Sequence, residues 1–251
     1  MPNQSLKGKV ALVTGGAKNL GGLVSRTLAA EGASVAVHYH SPASKAAAEE
    51  TVDFINALGS HAITLDGDLS NEADVQLAFS ETIRCFGKVD IVVNTAGKIL
   101  KKLIVDTTEA EYDLLAAVNA KAAFLLIREA GRTLSKNGRI VTIVTSLLAS
   151  YTGYYSTYAG GKASVEQFIR AASKEFAGQG ITVNAVAPGP MDTPFFHAQE
   201  TPDSVAWLKS QGMGNRLTEI EDIAQIVKFL VTDSNWITGQ TIFANGGFAT
   251  R

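Results

Sequence analysis

Cysteine is nearly missing from this chain. Cys85 stands alone among 251 residues, so no disulfide can close within the chain and a cysteine-rich metal centre is excluded. A charge excess of one sign is missing too: 22 Lys and Arg face 24 Asp and Glu, a formal net charge of −2. A nucleic-acid or anionic-membrane partner normally selects a basic excess, so neither is expected. Apolar runs are short, and Ala122 to Ile127, one of the longest, falls far below the roughly 20 residues that span a bilayer. Met1 to Lys9 carries no apolar run, so no secretory signal is expected and the location is expected to be cytoplasmic.

What is present is the composition of an ordinary soluble globular chain, 46% apolar and 18% charged. There is no Pro/Ser-rich linker, low-complexity tract or internal repeat, which predicts one domain over residues 1–251. Cys85 lies in an apolar-periodic stretch with Val75, Ala78, Phe79, Thr82 and Phe86, and is expected to be a small buried hydrophobe.

Strand-like and helix-like patterns alternate from end to end. Short apolar strands are expected at 10–13, 34–39, 61–65, 91–93, 140–144, 182–186 and 241–243. Helical spacing falls between them at 20–30, 46–58, 72–86, 109–117, 118–134, 157–177 and 220–231. Residues 193–215 read as a possible insert over a site. Strands joined through helices pair in parallel by right-handed crossovers. The predicted fold class is therefore α/β: a single doubly wound Rossmann-type domain, with a parallel sheet of about seven strands flanked by helices on both faces.

The first strand runs into Thr14-Gly15-Gly16-Ala17-Lys18-Asn19-Leu20-Gly21-Gly22 and then a helix. Glycine lets the backbone turn tightly and lets a pyrophosphate approach free N–H groups at the helix start. A Gly-rich turn alone is a weak signal, but its place between strand and helix favours a nucleotide. Where the second strand ends stands His38-Tyr39-His40-Ser41, with Lys45 beyond it and no carboxylate between Ser34 and Ala48. A missing acid together with nearby bases, Lys18 included, favours a 2′-phosphate over a free ribose hydroxyl. The selected cofactor is then NADPH/NADP+.

Tyr158 and Lys162 are four apart on an expected helix and share one face. A nearby ammonium favours a phenolate, so the pair is expected to exchange a proton near neutral pH. On most helices this spacing means only packing beside a solvated charge. The rest of the pattern argues otherwise here.

Thr14-Gly-Gly-x-x-x-Leu-Gly, Asn94-Thr-Ala-Gly97, Tyr158-x-x-x-Lys162 and Pro188-Gly189 occur in that order. Together they resemble the short-chain dehydrogenases/reductases over essentially the whole chain. The resemblance implies cofactor contacts at Gly15, Ala17, Lys18, Asn19, Leu20, Gly21, His38, Tyr39, His40, Ser41, Asp68, Leu69, Asn94, Ala96, Gly97, Tyr158, Lys162, Pro188, Gly189, Met191 and Thr193. It implies that Asn119, a hydroxyl at Thr145 or Ser146, Tyr158 and Lys162 form the catalytic set. Spacing favours Thr145, residue type favours Ser146, and both stay open. Asn19 departs from the usual glycine, as in the pteridine reductases of this family, whose His-Tyr-His-like string also meets the 2′-phosphate.

The resemblance further implies reduction of a small-molecule ketone to a secondary alcohol, in a homotetramer built as a dimer of dimers. Reduction of a 3-oxoacyl group on an acyl-carrier protein is an alternative, for which Lys98, Lys101 and Lys102 would form a basic rim. A pteridine reductase and a non-catalytic NADPH-sensing protein are further alternatives. Ile99, Leu147, Tyr151, Tyr154, Tyr155, Phe195, Phe196 and Trp207 are expected near the substrate, which suggests an apolar or aryl ketone. No metal site is expected.

Overall fold

Among the described residues seven strands alternate with helices, and all of them pair in parallel. The computed structural model describes residues 5–250. Met1 to Gln4, part of the expected leader-free N-terminus, and Arg251, the end of the expected domain, lie outside the described residues. The strands are β1 (Val10–Thr14), β2 (Ser34–Tyr39), β3 (Ala62–Asp66), β4 (Ile91–Asn94), β5 (Arg139–Ile143), β6 (Thr182–Pro188) and β7 (Thr241–Ala244). Their order in the sheet is β3-β2-β1-β4-β5-β6-β7. The expected doubly wound single domain is what forms.

Central strands are buried at nearly every position because helices cover both faces of the sheet. β1 is buried at all five residues and β6 at all seven. One face packs against α3 (Glu72–Phe86), α5 (Ala122–Thr133) and α6 (Ser156–Glu175), through Val75, Phe79, Leu126, Val165 and Ile169. The other packs against α1 (Asn19–Ala30), α2 (Lys45–Ala57) and α9 (Ile220–Thr232), through Val24, Leu28, Ile55, Ile223 and Val227. Strand order reverses between β1 and β4. In such sheets ligands sit beyond the carboxyl ends of the strands at that reversal.

Between the expected helices at 109–117 and 118–134 the chain makes one continuous rod. α4 (Glu109–Ala116) passes through a π-helical turn at Ala117–Lys121 into α5. Residues 193–215 form α7 (Pro194–His197) and α8 (Pro202–Gln211), ending in a 3-10 turn at Met213–Asn215. The expectation for Cys85 is corrected, because its thiol is exposed. The buried stripe of α3 runs through Val75, Ala78, Phe79 and Thr82, and Cys85 falls at its edge in the last turn. Among the described residues no helix is long and apolar enough to cross a membrane, and no cluster of potential metal ligands occurs.

Candidate active site

The carboxyl end of β1 turns at Gly15, whose φ of +66° lies in the left-handed region where glycine is least strained. Close packing forbids a side chain at Gly21: a Cβ there would stand 2.0 Å from the Gly15 carbonyl oxygen. α1 therefore starts against the turn, with Leu20 and Ala17 buried and Lys18 exposed. No side chain caps this helix start and no acid lies in its first turn. The N–H end of the helix is thus left for an anion. Asn19 has φ +50°. Asparagine is the residue that best tolerates this conformation after glycine, which accounts for its place in the fingerprint.

His38 departs from the expected role of a base facing a phosphate. It is 2% exposed, its Nε2 donates to the Gly67 carbonyl at 3.1 Å, and its Nδ1 faces the Gly15 N–H at 3.4 Å. Burial lowers its pKa to about 4, so the ring is neutral and braces the glycine turn. His40 is exposed and donates through Nδ1 to the same Gly67 carbonyl at 3.2 Å. The Ser41 hydroxyl lies 3.3 Å from that of Ser44, and Lys45 pairs loosely with Glu49 at 3.8 Å. Tyr39 is half-buried at the end of β2.

Asp68 is exposed, and its Oδ1 accepts from the backbone and hydroxyl of Ser70 at 2.9 and 2.8 Å. Burial pushes its pKa up, but the Ser70 hydrogen bonds outweigh this and hold it below the usual value. Leu69 beside it is buried, and Asn71 rather than Asp68 caps α3.

At the end of β4, Asn94 ties neighbouring strands together. Its Oδ1 accepts from the Thr14 hydroxyl at 2.8 Å and from the Ala96 N–H at 3.1 Å. Thr95 Oγ1 donates to the Thr14 carbonyl at 2.7 Å. Gly97 follows, and a Cβ there would meet Asn119 Oδ1 at 3.1 Å and Lys162 Nζ at 3.3 Å. Asn119 sits inside the π-helical turn. A π turn frees carbonyls from the regular ladder, and such turns recur at functional sites. The Asn119 amide takes up that capacity, donating to the Leu115 carbonyl at 3.1 Å and the Lys98 carbonyl at 2.8 Å, and accepting from the Lys98 N–H at 3.1 Å.

The chemical centre lies where β5 ends beside α6. Tyr158 is buried, with the Thr145 hydroxyl beside it. Ser146 turns the other way: its Oγ donates to the Ala187 carbonyl at 3.0 Å and accepts from Asn245 Nδ2 at 3.0 Å. Lys162 is 4% exposed, with Nζ donating to the Ile143 carbonyl at 2.8 Å.

Burial pushes the Tyr158 pKa up to about 12, against the smaller lowering effect of Thr145. Burial brings the Lys162 pKa down to about 8. The expectation that the ammonium draws the phenol toward neutrality is corrected for the free protein. Desolvation dominates, and it keeps the phenol protonated.

Beyond β6, Gly189 packs so closely that a Cβ would stand 2.8 Å from Thr218 Oγ1. Pro188 closes that strand, Met191 bridges to Thr218, and Thr193 is buried at the start of α7. Phe195 places its ring centroid 6.4 Å from that of Tyr158. Tyr155 and Phe196 are buried, whereas Tyr151, Tyr154 and Trp207 are exposed, Tyr151 fully so. The basic rim is corrected too. Lys101 pairs with Glu200 at 2.5 Å and Lys102 with Glu111 at 2.8 Å, leaving Lys98 exposed among the three. Glu200 was not anticipated, because no local pattern around it marks a site.

Residues 15–249 match the family model described as enoyl-(acyl carrier protein) reductase. A short-chain type dehydrogenase/reductase of Picea abies is 37% identical over 254 residues, covering 96% of this chain and 93% of its own length. The chain belongs to the short-chain dehydrogenases/reductases. It is 35% identical over 262 residues to a hydroxynaphthalene reductase-like protein of Metarhizium robertsii, covering 98% of this chain and 97% of that one. A crystal structure of a Burkholderia cenocepacia protein described as a dehydrogenase, with bound NADP, superposes with a TM-score of 0.96. It is 51% identical, with 99% of this chain and 96% of that one covered. As a short-chain dehydrogenase/reductase, this chain is an oxidoreductase whose motifs all lie at the carboxyl edge of one parallel sheet.

Proposed function

We propose that this chain is an NADPH-dependent reductase that converts the ketone of an apolar or aryl small molecule to a secondary alcohol, with Tyr158 as proton donor. The observation that carries the reading is a buried phenol, Tyr158, beside the Thr145 hydroxyl and one helical turn from the buried Lys162, whose Nζ donates to the Ile143 carbonyl at 2.8 Å.

The residues at the β1 and β4 ends fit a dinucleotide. The uncapped start of α1, brought close by Gly15 and Gly21, suits the pyrophosphate. Lys18, His40, Ser41 and Lys45 suit a 2′-phosphate, and Asp68 with Leu69 suits the adenine. Asn94, Ala96 and Gly97 line the floor, while Pro188, Gly189, Met191 and Thr193 suit the nicotinamide end. Bound there, the cofactor supplies the hydride, and the protein supplies position and electrostatics.

Tyr158 and Thr145 offer two hydroxyl donors to a carbonyl oxygen, and Tyr158 gives up the proton as charge develops there. Lys162 recharges easily because its pKa is near 8, and as an ammonium it stabilises the phenolate left behind. Asn119 holds Lys98 and Gly97 against the lysine. Ser146 is assigned to the scaffold through Ala187 and Asn245.

Phe195 beside Tyr158 favours an apolar or aryl substrate, in line with the hydroxynaphthalene reductase-like relative. The neutralised lysines argue against an acidic carrier protein. Assembly as a homotetramer and a cytoplasmic location belong to the same reading. The test is NADPH oxidation against aryl ketones, acetoacetyl thioesters and biopterin. Turnover is expected with aryl ketones, and turnover with thioesters alone would contradict the reading.

A further inference from the structure

A carboxylate that the chemistry above does not use lies beside the proposed site. The Glu200 side chain is 4% exposed, yet it is an anion with three donors from three directions. Lys101 Nζ donates to Oε2 at 2.5 Å, Ser204 Oγ donates to Oε2 at 2.5 Å, and the Tyr155 hydroxyl donates to Oε1. Burial alone would push the Glu200 pKa up, and these hydrogen bonds outweigh it, holding it below the usual carboxylate value.

The donors come from separate parts of the fold. Lys101 lies on the loop after β4, Tyr155 caps the start of α6 one turn before Tyr158, and Ser204 lies in the first turn of α8. Nearby bonds tie the same three segments. The Lys101 N–H donates to Gln199 Oε1 at 3.2 Å, and the Lys102 N–H donates to the Tyr154 carbonyl at 2.7 Å. Lys101 Nζ also stands 5.8 Å from the centroid of the Tyr155 ring. Tyr154 has φ +71°, a conformation that a bulky residue holds only when its surroundings enforce it.

We infer that Glu200 is a positioning residue that latches the segment 194–211 onto the loop after β4 and the start of α6, setting the wall against which the substrate sits. Phe195 belongs to that segment and reaches the Tyr158 ring, so releasing Glu200 frees an aromatic wall of the site rather than a proton donor. A buried ion whose partner is removed leaves an uncompensated charge, so the latch holds as a unit or opens as a unit. The kinetic consequence rests on the reductase reading, and the structural consequence does not.

The test compares wild type with Glu200→Gln, which keeps the shape and removes the charge, and with Tyr155→Phe, which removes one hydroxyl. Hydrogen exchange followed by mass spectrometry is expected to quicken about tenfold or more over 194–211 in Glu200→Gln, less in Tyr155→Phe, with β1 to β6 unchanged. KM for a reducible aryl ketone is expected to rise about tenfold with kcat within about threefold. Unchanged exchange over 194–211, or exchange that quickens equally across the sheet, would overturn the latch. So would a fall in kcat at constant KM. If the wild type reduces no ketone at all, the reductase reading fails and the exchange data alone decide the latch.

Discussion

Burial shifts the two titratable groups of the site in opposite directions, and the consequence is measurable on the free protein. Lys162 has a pKa of about 8 when folded against the ordinary 10.5. Between those pH values the unfolded chain holds a proton that the folded chain has released, so stability rises with pH across that window. The change is about 3 kcal/mol at 1.36 kcal/mol per pH decade. Urea melts of wild type and Lys162→Met from pH 7 to 10.5 should therefore diverge in favour of wild type as pH rises, and parallel curves would contradict it. Tyr158 acts in the opposite sense, losing stability only as pH climbs from 10 toward about 12.

Of the two hydroxyls the sequence left open, Thr145 lies beside Tyr158 while Ser146 bonds Ala187 and Asn245, so the proposal rests on Thr145. Thr145→Val should lower ketone turnover by about 10²-fold or more. Ser146→Ala should act mainly on stability, and steady-state kinetics with a melt on each variant separates them. Tyr158 and Lys162 were legible because their spacing fixes a shared helix face. His38 and His40 differ because His38 lies inside β2 and is buried, whereas His40 follows the strand and is exposed.

At the scale of elements, alternating apolar runs and helical stripes made the strands and helices readable to within a residue or two. A strand buried on both faces is written mostly in apolar residues. The π-helical turn at Ala117–Lys121 was not readable, since it arises from how Asn119 bridges to Lys98 across the fold. The latch around Glu200 was hidden for the same reason: Lys101 and Glu200 are 99 residues apart.

Asn119→Leu should remove the bridge, leave the buried Leu115 carbonyl and the part-buried backbone of Lys98 without that partner, and cost about 1–3 kcal/mol in a urea melt. Gly21→Ala is a sharper test of the cofactor turn, because its methyl would collide with the Gly15 carbonyl at 2.0 Å. NADPH affinity by fluorescence titration should collapse in that variant, and wild-type affinity would rule out the turn as a phosphate cradle.

For the molecule as a whole, cofactor choice and assembly follow from surfaces rather than from the core. NADPH should bind more tightly than NADH, and His40→Asp should narrow or reverse the ratio by placing an acid where none stands in β2 or the turn after it. Equal affinity in the wild type would contradict this. Light scattering at micromolar concentration should give the mass of a tetramer, and a monomer mass would contradict the assembly. The central claim concerns one oxygen atom. Tyr158→Phe keeps the buried ring and removes that atom, so NADPH should still bind, as read by fluorescence. Ketone-dependent NADPH oxidation by this variant should fall about 10²–10⁴-fold relative to wild type, and near-wild-type turnover in the folded variant would contradict the assignment.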